Sequence, residues 1–107
     1  MKGLWITHPL RFIELLRLNS NARMIITDSG GIQEESTYLG VQCITVRDNT
    51  ERPITVEVGT NQLIGTDLGK VKRTALEVLE GKTKNGSIPE LWDGHAAERI
   101  AAVLIDK

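Results

Sequence analysis

The chain has 107 residues and a formal charge of −1, with 13 Lys and Arg against 14 Asp and Glu. That length fits one small domain with a single core, and the balanced charge lacks the basic face expected of a nucleic-acid binder. With 1 cysteine no internal disulfide can form, and no apolar run approaches the roughly 20 residues that span a bilayer, so neither a nucleic acid nor a membrane is expected as a partner.

Cys43 sits inside the apolar run 41–46 and reads as a small buried hydrophobe. A reducing, cytoplasmic setting fits this usage. The N-terminus lacks the basic-then-apolar pattern of a signal peptide.

Residues 3–7 form a short apolar run and are predicted as a strand. Pro9 suits the first turn of a helix, and Leu10, Ile13 and Leu16 recur at helical spacing. Asn19, Ser20 and Asn21 end that helix. Residues 24–27 read as the second strand, and 32–39 as a helix stopped by Gly40 at a C-cap position. Residues 42–46 are the third strand. Residues 53–58 suit a short helix, with Pro53 at its start and Gly59 after its end. A short fourth strand is expected over 62–64.

Residues 67–80 form an amphipathic helix with Leu68, Val71, Ala75, Leu76, Val78 and Leu79 on one face. Thr66 or Asp67 is its expected N-cap, and Asp93 that of the last helix. Residues 82–89 are a polar loop. The last helix, 94–105, carries Ala97, Ile100, Ala101 and Leu104 as its stripe. The chain contains no internal repeat, low-complexity tract or linker.

Strands alternate with helices, and the strand runs are continuously apolar. This pattern predicts an α/β fold, a three-layer sandwich around a mostly parallel sheet of about four strands, as one domain over residues 1–107. In such a sheet, ligands bind beyond the carboxyl ends of the strands. Those ends are Thr7-His8, Thr27-Asp28-Ser29, Arg47-Asp48 and Gly65-Thr66.

Ser29-Gly30-Gly31 lies between a predicted strand and a helix. Unpaired N–H groups at a helix start favour an anion, and glycines allow close backbone approach. A tight turn with no ligand explains the same residues, since the segment is neither a Walker loop nor GxGxxG. Glu34 and Glu35 point about 100° apart on a helix, so one of them is expected at the ligand edge, where a carboxylate suits a vicinal diol. Favourable placement of acids near a helix start is the plainer account of each.

Arg47 and Arg52 flank the exit of the third strand. Their guanidinium forks suit phosphate or carboxylate, while pairing with Asp48 or Glu51 would make them structural. His8 and His95 have no neighbours at metal-ligand spacing. A solvated or capping role suits both. No metal site, cofactor, Ser-His-Asp set or acid-base pair can be assigned.

Residues 27–35 (Thr-Asp-Ser-Gly-Gly-Ile-Gln-Glu-Glu), Arg47-Asp48, residues 50–53 (Thr-Glu-Arg-Pro), Val58-Gly59-Thr60 and residues 63–67 together resemble the non-hydrolysing UDP-N-acetylglucosamine 2-epimerases. Trp92-Asp93-Gly94 and residues 96–100 are similar to that family's terminal Gly-Asp-Gly segment and last helix. The resemblance runs from about Pro9 onward. Leu15 stands where the family often has a bulky aromatic, and Asn49 and Trp92 also depart from its pattern.

The resemblance implies two Rossmann-like domains in the GT-B arrangement, of which this chain would be the later part of the C-terminal one. It implies that Ser29, Gly30 and Gly31 hold the UDP diphosphate and that Glu35 binds the ribose hydroxyls. Arg52 would lie near the phosphates, and the helix beginning at Pro9 would border the uracil through backbone near Leu10. The ligand would be UDP or a UDP-N-acetylhexosamine, with no cofactor.

The family inverts C2 of the sugar by elimination of UDP and re-addition, in the service of cell-surface polysaccharide synthesis. Its proton-moving residues lie upstream of this segment, so no catalytic residue is assigned and the chain alone is expected not to epimerise. A standalone nucleotide-sugar-binding module, a fragment of a related GT-B glycosyltransferase and a folded remnant without a ligand are the competing readings.

In the family's strand order, 3-2-1-4-5-6, strands 1 and 2 would be missing here. Either residues 3–7 pair directly with 24–27, or another chain fills the gap. A bare edge invites association, as a homodimer or with the missing N-terminal half.

Overall fold

The structure, a computed structural model, describes residues 3–105. Helix α1 spans Phe12–Ser20, strand β1 Met24–Thr27, helix α2 Gly30–Leu39 and strand β2 Gln42–Thr45. The short helix α3 (Pro53–Glu57), strand β3 (Asn61–Leu63), helix α4 (Leu68–Leu79) and helix α5 (Ala96–Ile105) follow.

The three strands form one parallel sheet in the order β1-β2-β3. Met24 stands opposite Gln42 and Thr27 opposite Thr45, while Cys43 faces Asn61 across the other ladder. Helices α2 and α4 both pack on β2, and all four β2 residues are buried. Continuous burial along a strand is what helices on both faces of a parallel sheet produce. The α/β expectation therefore holds, with one strand fewer than predicted.

Residues 3–7 form no strand, and Trp5 and Ile6 remain 92% and 91% exposed. A strand needs a ladder partner to satisfy its backbone, and among the described residues β1 pairs only with β2. The direct pairing of residues 3–7 with 24–27 is not formed. The first helix also starts later than Pro9. Arg11 is extended and serves as its N-cap, and its carbonyl accepts the bond from the Leu15 N–H.

Local signals explain the other boundaries. Gly40 closes α2 in the left-handed region at φ 74°, where glycine carries no Cβ penalty. The Asp67 carboxylate accepts from the Gly69 and Lys70 N–H groups at the start of α4. Asp93 likewise accepts from the His95 N–H at 2.9 Å, just ahead of α5. That bond, reinforced by Arg99, holds the Asp93 carboxyl below the usual carboxylate range.

The apolar core is small: Val41, Cys43, Ile44, Val71 and Val78. Cys43 is fully buried, and burial pushes its thiol pKa up, as for an inert core thiol. By contrast, α5 buries none of its residues, and its expected stripe lies open at Ile100 and Leu104. The radius of gyration, 16.1 Å, exceeds the roughly 13 Å of a compact domain this long. The unpacked ends account for the excess. Among the described residues, no helix is long and apolar enough to cross a membrane.

The loop after α4 is fastened down although it has no regular structure. The Gln42 side-chain amide exchanges two hydrogen bonds with the Lys84 backbone, each of 2.8 Å. The Lys84 ammonium donates to the Val56 and Asn61 carbonyls, and its burial lowers its pKa. A Cβ on Gly59 would run into the Thr37 side chain and stand 2.7 Å from the Thr55 carbonyl oxygen. Gly59→Ala is therefore expected to cost about 1–3 kcal/mol through overpacking. Urea denaturation would read this as a lower midpoint at unchanged slope.

Candidate functional site

Parallel strands bring their carboxyl ends to one edge of the sheet, and three loops meet there. Ser29, two residues past the end of β1, is the extended N-cap of α2, with its N–H donating to Thr27 Oγ1 at 3.0 Å. The Ser29 hydroxyl makes no capping bond. The first backbone bond of α2 runs from the Gln33 N–H to the Ser29 carbonyl. The N–H groups of Gly30, Gly31 and Ile32 thus lie ahead of the helical ladder, where the macrodipole favours an anion. A Cβ on Gly31 would meet nothing within 4 Å. Steric crowding within the fold gives no reason for glycine there.

Arg52, the N-cap of α3, crosses to this turn from the β2–α3 loop. Its Nε donates to Glu34 Oε1. Its Cζ and Nη2 lie 3.7 and 3.8 Å from where a Gly30 Cβ would stand. The hydrogen bond and charge of Glu34 raise the Arg52 pKa above its ordinary value, so the guanidinium is always charged. Of the two predicted structural partners, only Glu51 approaches Arg52, at 3.8 Å, and its side chain is 78% exposed. Arg47 donates to Asn49 at 3.2 Å instead of joining the turn.

Glu35 is half-buried and lines a cleft of about 460 Å³ with Leu16, Glu34, Tyr38, Leu39, Trp92 and Gly94. Both glutamates therefore reach the cleft, but Glu34 is engaged by Arg52. Leu10 is not part of this cleft. It borders a separate depression with Ile13, Glu14 and Arg17. The fold thus brings Ser29, Gly30, Gly31 and Arg52 together, places Glu35 at an adjoining wall and leaves Leu10 apart. His8 is exposed, and exposed His95 stands 3.2 Å from Glu98.

A buried polar network supports the turn, and sequence reading missed it. Gln33 is fully buried, and its Oε1 accepts from Thr50 Oγ1 at 2.6 Å and Asn61 Nδ2 at 3.0 Å. Thr50 Oγ1 in turn accepts the Arg52 N–H at 2.9 Å. Asn61 also donates to Thr55 and accepts from Thr45. One amide thus connects α2, β3 and the loop that carries Arg52. The available signal was a glutamine and an asparagine at positions whose neighbours pack inward.

The sequence model of the family described as UDP-N-acetylglucosamine 2-epimerase matches residues 1–105. The chain belongs to that family. It is 47% identical over 103 residues to the UDP-N-acetylglucosamine 2-epimerase of Methanocaldococcus jannaschii, covering 96% of this chain and 28% of the relative. It is 53% identical over 99 residues to the enzyme of Methanococcus maripaludis, covering 92% and 26% respectively. The chain thus spans just over a quarter of the length of these relatives.

Among solved structures, the M. jannaschii epimerase in complex with UDP-GlcNAc and UDP superposes with a TM-score of 0.82 at 45% identity, over 99% of this chain and 29% of that one. The Neisseria meningitidis epimerase bound to UDP-GlcNAc gives 0.81 at 32% identity, over 92% and 28%. The arrangement described above is therefore a partial Rossmann-like fold of the epimerase type.

Truncating the hub of the network should be costly. Asn61→Ala removes the buried acceptor of Thr45 and one of the two donors to Gln33 Oε1, and is expected to cost about 2–3 kcal/mol. Thermal or urea unfolding would measure the loss.

Proposed function

We propose that this chain is the UDP-binding segment of a UDP-N-acetylglucosamine 2-epimerase, corresponding to the later part of its C-terminal domain. The carrying observation is the Arg52 guanidinium lying over Gly30 at the start of α2. A permanent cation beside unpaired helix N–H groups is a phosphate-binding arrangement. Ser29, Gly30 and Gly31 hold the diphosphate. Glu35, one helical turn away on the cleft wall, takes the ribose hydroxyls. Backbone near Leu10 borders the uracil once the rest of the nucleotide site is assembled. The ligand class is UDP or a UDP-N-acetylhexosamine, in keeping with the UDP-GlcNAc bound by related epimerases.

The chain binds without turning over. The family's proton-moving residues belong to the part of its relatives that this chain does not cover, so UDP-GlcNAc and UDP-ManNAc interconvert only when that part is present. The bare edge of β1 and the exposed Leu4, Trp5 and Ile6 favour association, with a second copy or with the missing half. A clean monomer by light scattering would remove the homodimer. Restored epimerisation on mixing with the preceding half would separate an enzyme segment from a standalone cytoplasmic binding module.

An NMR titration of the chain with UDP, with inorganic phosphate as control, is the direct test. Saturable UDP binding with shifts at residues 29–35 is expected, and its absence would overturn nucleotide binding by the chain. Glu35→Ala should weaken UDP about tenfold or more, as loss of a hydrogen bond to a charged group does, and more than Glu34→Ala does. Gly31→Ala should lower UDP affinity while leaving the fold intact or stabilised by about 0.5 kcal/mol.

A further inference from the structure

Glu34 is the acid for which the nucleotide reading has no ligand. It sits in the second turn of α2, within the cleft wall that also contains Glu35. Its carboxylate faces Arg52 Nε. We propose that Glu34 is a positioning residue, which holds the Arg52 guanidinium against the α2 N-terminus so that its outer nitrogens meet a diphosphate. This role rests on the nucleotide reading given above.

Two like charges meet at this position. The start of a helix carries partial positive charge, so a guanidinium has no electrostatic reason to rest there when no anion is bound. Nevertheless its Nη2 lies beside Gly30, 3.8 Å from the position a Cβ would take. Its two shortest contacts fix it at both ends. Thr50 Oγ1 accepts the Arg52 backbone N–H at 2.9 Å, which sets the root of the side chain. Glu34 takes Nε, which sets its tip.

Nε is the donor that leaves the outer fork available. Nη1 makes a long bond of 3.3 Å to the Glu51 carbonyl and stands 3.8 Å from the exposed Glu51 carboxylate, and Nη2 has no acceptor among the described residues. Arginine binds phosphate through that planar fork, and its affinity depends on orientation as well as charge. Glu34 therefore reduces the ordering that the ligand must otherwise impose, the usual route by which preorganisation raises affinity. Its carboxylate is engaged by Arg52 Nε, so in this role it acts on the ligand through Arg52. Glu35, by contrast, acts on the sugar, so the two neighbouring acids serve different halves of one nucleotide.

The test compares UDP with uridine, titrated by NMR into the full chain and its variants, with dispersed spectra confirming the fold of each. Glu34→Ala is expected to weaken UDP by about three- to tenfold while leaving uridine unchanged, whereas Glu35→Ala weakens both. Glu34→Gln, which keeps an acceptor for Nε, should retain more UDP affinity than Glu34→Ala. In an Arg52→Ala background, Glu34→Ala should cause no further loss. Unchanged or tighter UDP binding by Glu34→Ala, an equal loss of uridine, equal losses for Gln and Ala, or additivity with Arg52→Ala would each overturn the positioning role. If the unaltered chain fails to bind UDP, or Arg52→Ala binds it normally, the nucleotide reading itself fails, and the role of Glu34 with it.

Discussion

The Gln33 side-chain amide is the contact on which the rest of the site depends. It is buried under the first turns of α2 and takes hydrogen bonds from Thr50 and from Asn61. Each partner extends the connection, Asn61 to Thr45 and Thr55 across β2 and α3, and Thr50 to the backbone of Arg52. Such a network is rigid where satisfied and costly where incomplete; Gln33 Oε1 has both its donors, while its Nε2 is buried without a partner among the described residues. The network places the cation-bearing loop and the glycine turn in register without relying on a large apolar core. The apolar core is too small to do so alone, since its buried residues are Val41, Cys43 and Ile44 in and just before β2 and Val71 and Val78 on α4.

The same economy leaves much of the molecule unpacked. Sheet edge β1 has one neighbour, α5 buries nothing, and Leu4, Trp5, Phe12 and Ile13 face solvent. The centre is nonetheless well defined, with β2 covered on both faces and the Lys84 loop bound over β3. Stability should be uneven as a consequence. The β2–α2–β3 unit would open only with the global transition, while the ends open at little cost. The candidate site lies on the well-packed side of that boundary, because Ser29, Gln33 and Arg52 all belong to elements touching β2 or its loops. The cleft beside Glu35 does not share that security. One of its walls, Trp92 and Gly94, comes from the segment that leads into the unburied α5.

Much of the central fold was legible from short-range chemistry. Gly40 and Asp67 act where their backbone and side-chain preferences place them, and Pro53 opens α3. The apolar run at 42–46 became a strand covered on both faces, while the run at 24–27 pairs along its edge with Ile26 left 49% exposed. Residues 3–7 have the same composition and failed as a strand, since composition supplies propensity and not a ladder partner. The first helix began at Phe12 although Pro9 suited a helix start. A proline permits a first turn without requiring one, and Arg11 offered the extended backbone that ended the preceding segment.

For function, the sequence by itself determined the family and the Ser29-Gly30-Gly31 turn, because those depend on residue order and on backbone freedom local to a few positions. It also limited the ligand edge to the carboxyl ends of the strands, a consequence of parallel topology. Only the tertiary structure decided which acid was already engaged, since Glu34 and Arg52 are distant in sequence and meet across two loops. It also decided that Leu10 stands apart from the Glu35 cleft, and that Gln33 is a buried hub and not a surface polar residue. These are outcomes of packing between elements. Hydrogen bonds between distant side chains leave no periodic trace in the chain that makes them.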